Sequence, residues 1–148
     1  MGLLPCALAL MLPVSLAAQG RDEWRRVAKY EDSSYIELNA SRVTFGVGEI
    51  GRVRVRVVWA KPQGLKGAPG ATYKTHLETA EFKCRQRQFR RLELTLLDPT
   101  GKPVYSYGGP VAGAWVDVKP KTMPYRILEP ACALIEEKRR NPDAEPQS

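Results

Sequence analysis

The sequence predicts an α+β domain in which one face of an antiparallel sheet of about six strands packs against a C-terminal helix. Three observations support this fold class. Apolar and polar residues alternate with period two from Trp24 onward, and apolar residues recur at helical spacing only near the C-terminal end. Cys84 and Cys132 fall one in each kind of segment. A chain of 148 residues has room for one such domain with short ends.

The first residues predict a signal peptide. Residues 3–16 carry no charged side chain, and the small residues that follow suit cleavage after Ala17 or Ala18. We therefore expect residues 1–18 to be removed on export; a buried native helix is the alternative interpretation. The run is too short and too interrupted by proline to span a bilayer. Cys6 lies too early to accept a lipid, so no lipid anchor is expected.

Cys84 and Cys132 are predicted to form a disulfide. They are the two cysteines that remain after the leader, and an even number of cysteines in an exported chain indicates pairing in an oxidising compartment. Two buried thiols are the alternative. Closing a loop of this length stabilises a fold by about 4 kcal/mol in the chain-entropy model.

The N-terminal half of the domain predicts a meander of strands. Short strands are expected at residues 24–30, 35–38 and 43–47, separated by polar turns. Residues 52–59 give the clearest strand pattern, because arginines and valines alternate along it. The sheet should therefore have one dry face and one wet, basic face. Residues 60–71, which are rich in Pro, Gly and Lys, predict a long exposed loop.

The second half predicts three more strands, at residues 73–84, 88–97 and 104–107. A tight connection at residues 85–87 and a turn at residues 98–101 join them.

Two details of these strands follow from the phase of their apolar residues. Leu77 is out of phase with its strand, which predicts a β-bulge near Glu78 or Thr79. The inward-facing residues of the next strand are predicted to be Leu92, Leu94 and Leu96.

The C-terminal segment changes to helical periodicity. Thr122 is the expected N-cap, and Pro124 is tolerated in a first turn. The apolar stripe is predicted at Ile127, Leu128, Ala131, Cys132 and Ile135. Pro130 removes a backbone hydrogen bond, so we expect a kinked or split helix. The domain is predicted to span residues 22–136, with residues 137–148 as a flexible charged tail.

The residues give little support for catalysis. His76 is the only histidine, so a histidine-rich metal site is excluded, and no serine lies in a nucleophile-elbow motif. We interpret His76 as a surface residue of a strand, and we predict no catalytic residue, no metal and no cofactor.

Basic residues provide the candidate binding site. The formal net charge of +7 favours anionic partners. Seven arginines could converge on one face if their strands are neighbours: Arg52, Arg54, Arg56, Arg85, Arg87, Arg90 and Arg91. A solvated face without a ligand is the alternative. The tryptophans are predicted to pack in the core.

An ordered set of features resembles the bacterial surface-adhesin protein E-like domain family, from Trp24 to Cys132. The features are Trp24, Tyr35-Ile36, Asn39-Ala40-Ser41, the basic-and-valine strand, Phe82-Lys83-Cys84, the leucine strand, Asp98-Pro99-Thr100-Gly101-Lys102-Pro103-Val104, Trp115, Val118-Lys119-Pro120-Lys121-Thr122 and Cys132.

The resemblance implies an exported, non-catalytic binding domain of Gram-negative bacteria, periplasmic, secreted or at the cell surface. The expected partners are host matrix or serum proteins, which the resemblance implies, or anionic envelope glycans, which the net charge favours. Nucleic acid is not an expected partner, because an exported chain leaves the compartment that contains it. A structural periplasmic domain that acts through protein–protein contacts is the alternative function.

Overall fold

The computed structural model describes residues 22–108 and 113–142. The predicted signal peptide and the end of the predicted tail, residues 143–148, lie outside the described residues. The elements in chain order are β1 (Trp24–Lys29), β2 (Tyr35–Asn39), a 3-10 turn (Ala40–Arg42), β3 (Thr44–Phe45), β4 (Ile50–Gly64), β5 (Thr72–Lys83), β6 (Gln88–Leu97), β7 (Pro103–Gly108), β8 (Val116–Asp117) and α1 (Met123–Arg140).

The strands form one antiparallel sheet in the order β1-β2-β4-β5-β6-β7. The two shortest strands extend it locally, because β3 pairs with β4 and β8 pairs with β6. The helix α1 packs on one side, mainly against β4 and β5. The predicted α+β class, the six-stranded main sheet and the C-terminal helix are confirmed.

The covered face, which is the side of the sheet that faces α1, carries the core. Strand alternation places every second residue of β2, β4 and β5 on this side, and the helix contributes its apolar stripe. The buried apolar residues of strands and helix are Ile36, Leu38, Val53, Val55, Val57, Ala80, Phe82, Leu96, Ile127, Leu128, Ala131, Leu134 and Ile135. The predicted stripe is confirmed except that Cys132 is only half-buried, and it includes Leu134 as well.

A disulfide ties the helix to the sheet. Cys84 follows the last residue of β5, and Cys132 lies in the middle of α1, with 5.7 Å between their Cα atoms. This confirms the predicted pairing. The bridge holds the C-terminal half of the helix over the start of β4 and the end of β5.

Gly51 lets the helix approach the sheet closely. A Cβ atom at this position would lie 2.4 Å from Cδ1 of Ile135, which is far inside van der Waals contact. The sequence pattern predicted a strand that begins at Arg52, whereas β4 begins at Ile50 and Gly51 is a buried residue of it. Any larger residue would push α1 away from the covered face.

The predicted loop at residues 60–71 is wrong in extent. β4 continues to Gly64 and β5 begins at Thr72, so these strands form a long hairpin whose connection is residues 65–71. The pairing of β4 with β5 shifts between Val58 and Gln63, and Pro62 lies in this irregular stretch. A proline fits a bulge because a bulged residue does not need to donate a ladder hydrogen bond.

The bulge predicted near Glu78 or Thr79 lies at the predicted level of the sheet but in the neighbouring strand. β5 pairs regularly with β4 along this stretch, whereas its partners on β6 jump from Glu93 to Arg91. Leu92 is therefore the extra residue. Leu77 stays out of phase because it lies on the opposite face from Ala80 and Phe82.

The helix differs from the prediction at both ends and at its centre. It is one continuous helix through Pro130, not split, and it extends to Arg140, four residues past the predicted domain boundary. Thr122 is the N-cap residue as predicted, but its hydroxyl donates to the carbonyl of Lys119 instead of accepting from a helix amide. Within the described residues, no helix combines the length and apolar character needed to cross a bilayer.

Candidate functional site

The open face, which is the side of the sheet opposite α1, holds the candidate site. Arg52, Arg54 and Arg56 alternate with the buried valines of β4 and therefore lie on this face. Arg90 on β6 pairs with Glu81 on β5, and both belong to the same face as Arg52. Four of the seven predicted arginines are thus brought together.

Arg91 lies on the other side of the sheet. It pairs with Ala80, a core residue of the covered face, and its Nε donates to Glu78 Oε2 at 2.6 Å. The Leu92 bulge sets this arrangement, because an extra residue changes which positions of β6 share a face. The prediction that Arg91 joins the arginine cluster is wrong.

Arg85 and Arg87 lie in the turn between β5 and β6, away from the centre of the open face. Arg85 pairs with Glu49 at 2.9 Å, and 82% of its side chain is exposed. Arg87 pairs with Glu129 of the helix at 2.7 Å and lies over the ring of Tyr125. Neither residue joins the cluster, because the turn directs both toward the helix side or the solvent.

A buried carboxylate anchors one half of the cluster. Glu81 is only 2% exposed, and it accepts from Arg52 Nη2 at 2.7 Å and from Arg90 Nε at 2.6 Å. Burial alone would raise the pKa of Glu81, but the hydrogen bonds from the two guanidinium groups outweigh it and lower the pKa. Glu81 therefore stays ionised and fixes both arginines.

Glu37 anchors the other half in the same way. It is buried on β2 and accepts from Arg56 Nε at 2.7 Å and from Arg26 Nη2 at 3.5 Å. Arg26, on β1, was not among the predicted site residues. No sequence pattern could have revealed it, because the β1–β2 register alone brings it opposite Glu37.

Aromatic rings separate and support the guanidinium groups. Arg56 lies 4.3 Å from the Trp24 ring centroid, and Arg26 lies 3.8 Å from that of Tyr35. At the other end, Arg90 lies 4.6 Å and Lys83 lies 4.2 Å from the Trp115 ring. Stacked cations of this kind are held in place without losing their charge.

The prediction that all three tryptophans pack in the core is therefore wrong for two of them. Trp59 packs against the core of the covered face, as predicted. Trp24 and Trp115 stack on cations of the open face instead. The period-two pattern does not show which environment a tryptophan occupies, because its large ring can pack in a core or stack on cations at a surface.

Arg54 differs from the other arginines of this network in having no hydrogen-bonded carboxylate among the described residues, although its guanidinium lies 5.9 Å from the Trp24 ring centroid. It lies between the two anchored pairs, and its Nη1 is 3.9 Å from Oδ2 of Asp22, too far for a hydrogen bond. Its side chain donates no hydrogen bond to a described residue. The open face holds a surplus of positive charge around it. Around Arg54 the basic side chains are Arg26, Arg52, Arg56, Lys83 and Arg90, and the carboxylates are those of Asp22, Glu37, Glu81 and Glu93.

Comparison with known proteins identifies the family. The family model described as surface-adhesin protein E matches residues 24–133. The chain belongs to the surface-adhesin protein E family. No curated protein matches the chain in sequence.

Solved structures of protein E from Haemophilus influenzae share the fold of this family member at 12% sequence identity. Crystal form II gives a TM-score of 0.52 and covers 88% of this chain and 99% of that one. A second structure gives 0.50, with 86% and 94% covered, and one from a non-typeable strain gives 0.50, with 88% and 86% covered. At this identity the likeness shows the fold alone.

Membership of a surface-adhesin family indicates a surface protein that acts by binding. His76, the one histidine, is not the surface residue that the sequence predicted: it is buried on the covered face and lies 3.0 Å from Glu78 Oε2. Glu78 also accepts from Arg91. Burial would raise the pKa of Glu78, but the hydrogen bond with His76 and the charge of Arg91 lower it overall.

The His76–Glu78–Arg91 cluster was missed by the sequence analysis, although the period-two spacing of His76, Glu78 and Ala80 was a usable signal. Its hydrogen bonds satisfy buried polar groups of the sheet, which is a structural role. Across residues 22–108 and 113–142, no three His, Cys, Asp or Glu side chains are grouped as metal ligands would be.

Proposed function

We propose that this surface-adhesin protein E domain is an exported, non-catalytic binding module whose open face contacts an anionic partner. Arg54 is the residue that carries the proposal. It lies at the centre of an ordered basic face and has no hydrogen-bonded carboxylate. A guanidinium group in that state is available to a carboxylate, sulfate or phosphate group of a partner.

The surrounding arginines support the proposal because their side chains are fixed in position, and not because their charges are unpaired. Arg52, Arg56 and Arg90 already bind buried carboxylates, so each keeps only part of its donor capacity. Because these groups are fixed before a partner arrives, binding would cost little side-chain entropy. Acidic surfaces of host matrix or serum proteins and anionic glycans of the envelope both fit this chemistry.

The decisive experiment compares two single arginine variants on immobilised heparin, a polysulfated probe. Arg54→Gln should weaken binding by about fivefold or more, because a charge-assisted hydrogen bond contributes about 1 kcal/mol or more. It leaves no buried carboxylate unpaired, unlike substitution of Arg52 or Arg56. Arg85→Gln removes the same charge from the exposed turn and should have little effect.

Equal weakening by Arg54→Gln and Arg85→Gln would show that heparin binding depends only on the net charge of the protein. The assigned face would then be wrong. The thermal melting temperature of both variants should match that of the parent, so that any loss of binding is a property of the face.

One observation favours the second candidate function, a structural envelope domain that acts through protein–protein contacts. Within the described residues, β7 pairs only with β6, and its Tyr105 and Tyr107 are 45% and 47% exposed. An edge strand with exposed aromatic residues can pair with another chain. Protease treatment of intact cells separates the two functions, since a periplasmic domain is protected and a surface adhesin is cleaved.

A further inference from the structure

A cavity of about 710 Å³ lies on the helix side of the sheet, at the end where α1 begins. The turn between β1 and β2, the start of α1 and Trp59 from β4 line it. Its volume is in the range of small-molecule sites. It plays no part in the proposed open-face function, because Trp59 belongs to the opposite side of the sheet.

The floor of this cavity is apolar. Tyr30, Trp59 and Met123 line it and pack against the hydrophobic core, each partly exposed. The indole Nε1 of Trp59 is a buried donor that has no acceptor among the described residues. A buried donor without a partner is uncommon, and this one belongs to a residue that lines the cavity.

The rim carries three cations that make no ion pair with a described residue: Lys29, Lys121 and Arg126. The Arg126 guanidinium lies 4.5 Å from the Tyr30 ring centroid, so the ring holds it in place. Its N–H groups make no side-chain hydrogen bond with a described residue. Such a group is prepared for an anion in the same way as Arg54 on the open face.

Two carboxylates also line the cavity, and they differ in availability. Asp32 accepts from the amide of Ser34 at 3.0 Å and from its hydroxyl at 2.9 Å. These hydrogen bonds lower the pKa of Asp32, whose carboxylate is engaged in its own turn. Glu31 is exposed at the rim and would oppose an anionic ligand. The cations outnumber the carboxylates by three to two.

The start of the helix adds to the positive potential. Since the Thr122 hydroxyl donates to Lys119, no side chain caps the first amides, and the first turn contains no acidic residue. The positive end of the helix dipole therefore lies beside the rim. The unpaired cations and the apolar floor carry the argument without this contribution.

We propose that this cavity binds an amphipathic anion: a molecule with an aliphatic or aromatic body against Tyr30, Trp59 and Met123, and a carboxylate, sulfate or phosphate head on Arg126 and Lys121. The proposed ligand is a single molecule taken from solution, because the volume of the cavity is that of a small-molecule site. It is a small-ligand site separate from the macromolecular contact proposed for the open face.

The test uses three probes that divide the ligand chemistry. Decyl sulfate, below its micelle concentration, carries both body and head; decanol carries the body alone, and inorganic sulfate carries the head alone. Binding is followed by the NMR shift of the Trp59 indole N–H, assigned through its loss in Trp59→Phe. Decyl sulfate should shift this resonance with an affinity at least about tenfold higher than either partial probe.

Matched variants locate the head group. Arg126→Gln combined with Lys121→Gln should weaken decyl sulfate binding by about tenfold or more, whereas Arg85→Gln combined with Lys102→Gln, which removes the same charge from two exposed turns, should leave it unchanged. Glu31→Gln should strengthen decyl sulfate binding, because it removes the carboxylate that opposes an anion at the rim. The amide spectrum of each variant checks that the domain remains folded.

Three results would overturn the assignment of the cavity. They are equal binding of decanol and decyl sulfate, equal loss in the two double variants, and a Trp59 resonance that responds to anionic phosphatidylglycerol vesicles but not to the monomer. Because Arg54 is tested separately on heparin, failure here leaves the open-face proposal standing, and the reverse also holds.

Discussion

The two faces of the sheet are made by alternate residues of the same strands, yet they are stabilised in different ways. On β4 the valines enter a dry core under α1, while the arginines between them bind buried carboxylates and aromatic rings. The covered face is held by apolar burial, a disulfide and the buried His76–Glu78–Arg91 cluster, and the open face by charges in a fixed register. Most of the arginines on the open face therefore have a structural role, and Arg54 is the arginine left for a partner.

The disulfide should give the largest effect. Replacing both Cys84 and Cys132 by Ser should lower the free energy of unfolding by about 4 kcal/mol, because the bridge closes a loop with a sequence separation of 48 residues. Urea denaturation of the oxidised parent and the double variant measures this difference. A loss below about 1 kcal/mol would mean that apolar packing alone holds α1 on the covered face.

Substitution of one leucine on each face compares how much apolar burial on that face contributes to stability. Leu38 is fully buried on the covered face, and Leu77 is half-buried on the open face. Leu38→Ala should cost about 3 kcal/mol, because it leaves a cavity under the helix. Leu77→Ala should cost about 1 kcal/mol, since little apolar area is lost from a half-exposed site. Equal losses in urea denaturation would contradict the division into a dry and a wet face.

Two glycines of β4 test how closely the helix approaches. Gly51→Ala should destabilise the domain by about 1 to 3 kcal/mol, because the new Cβ would overlap Ile135. Gly64→Ala is the control, since nothing lies within 4 Å of a Cβ at that position. Thermal denaturation compares the two. If Gly51→Ala were as stable as the control, the close contact between β4 and α1 would be absent in solution.

Acidification should reveal the anchors of the charged network. The lowered pKa of Glu81 means that its ion pairs stabilise the fold above the ordinary glutamate pKa of about 4.3 and lose this contribution as the pH falls through the lowered value. Glu81→Gln should therefore weaken the dependence of stability on pH below about 4.3. Urea midpoints measured from pH 7 to pH 2 provide the check. Parallel profiles for the parent and the variant would show that Glu81 is not an anchor.

The pattern of the sequence was sufficient for the strands whose apolar residues keep a strict period. Val53, Val55 and Val57 gave the orientation of β4, and the stripe from Ile127 to Ile135 gave the buried side of α1. The Cys84–Cys132 pairing followed from cysteine number. In each case a local rule agrees with the global fold. The hairpin beyond Trp59 was missed because its irregular pairing around Pro62 resembles loop composition.

The candidate site was only partly predictable, because some of its residues are placed by pairing between strands and not by local spacing. Placing Arg52, Arg54 and Arg56 on one face requires only the period of a strand. Placing Arg91 requires the position of the bulge, which depends on how β6 pairs with β5.

The sequence by itself determined which residues alternate, that a helix ends the domain and that two cysteines are available to join them, because each of these properties depends on local spacing. Only the tertiary structure decided which charges meet. Nothing in the sequence distinguishes Glu37 and Glu81 from the other glutamates. The register of the paired strands alone buries them among arginines. Register is set by pairing between distant segments, so the chemistry of both faces emerges only when the sheet is assembled.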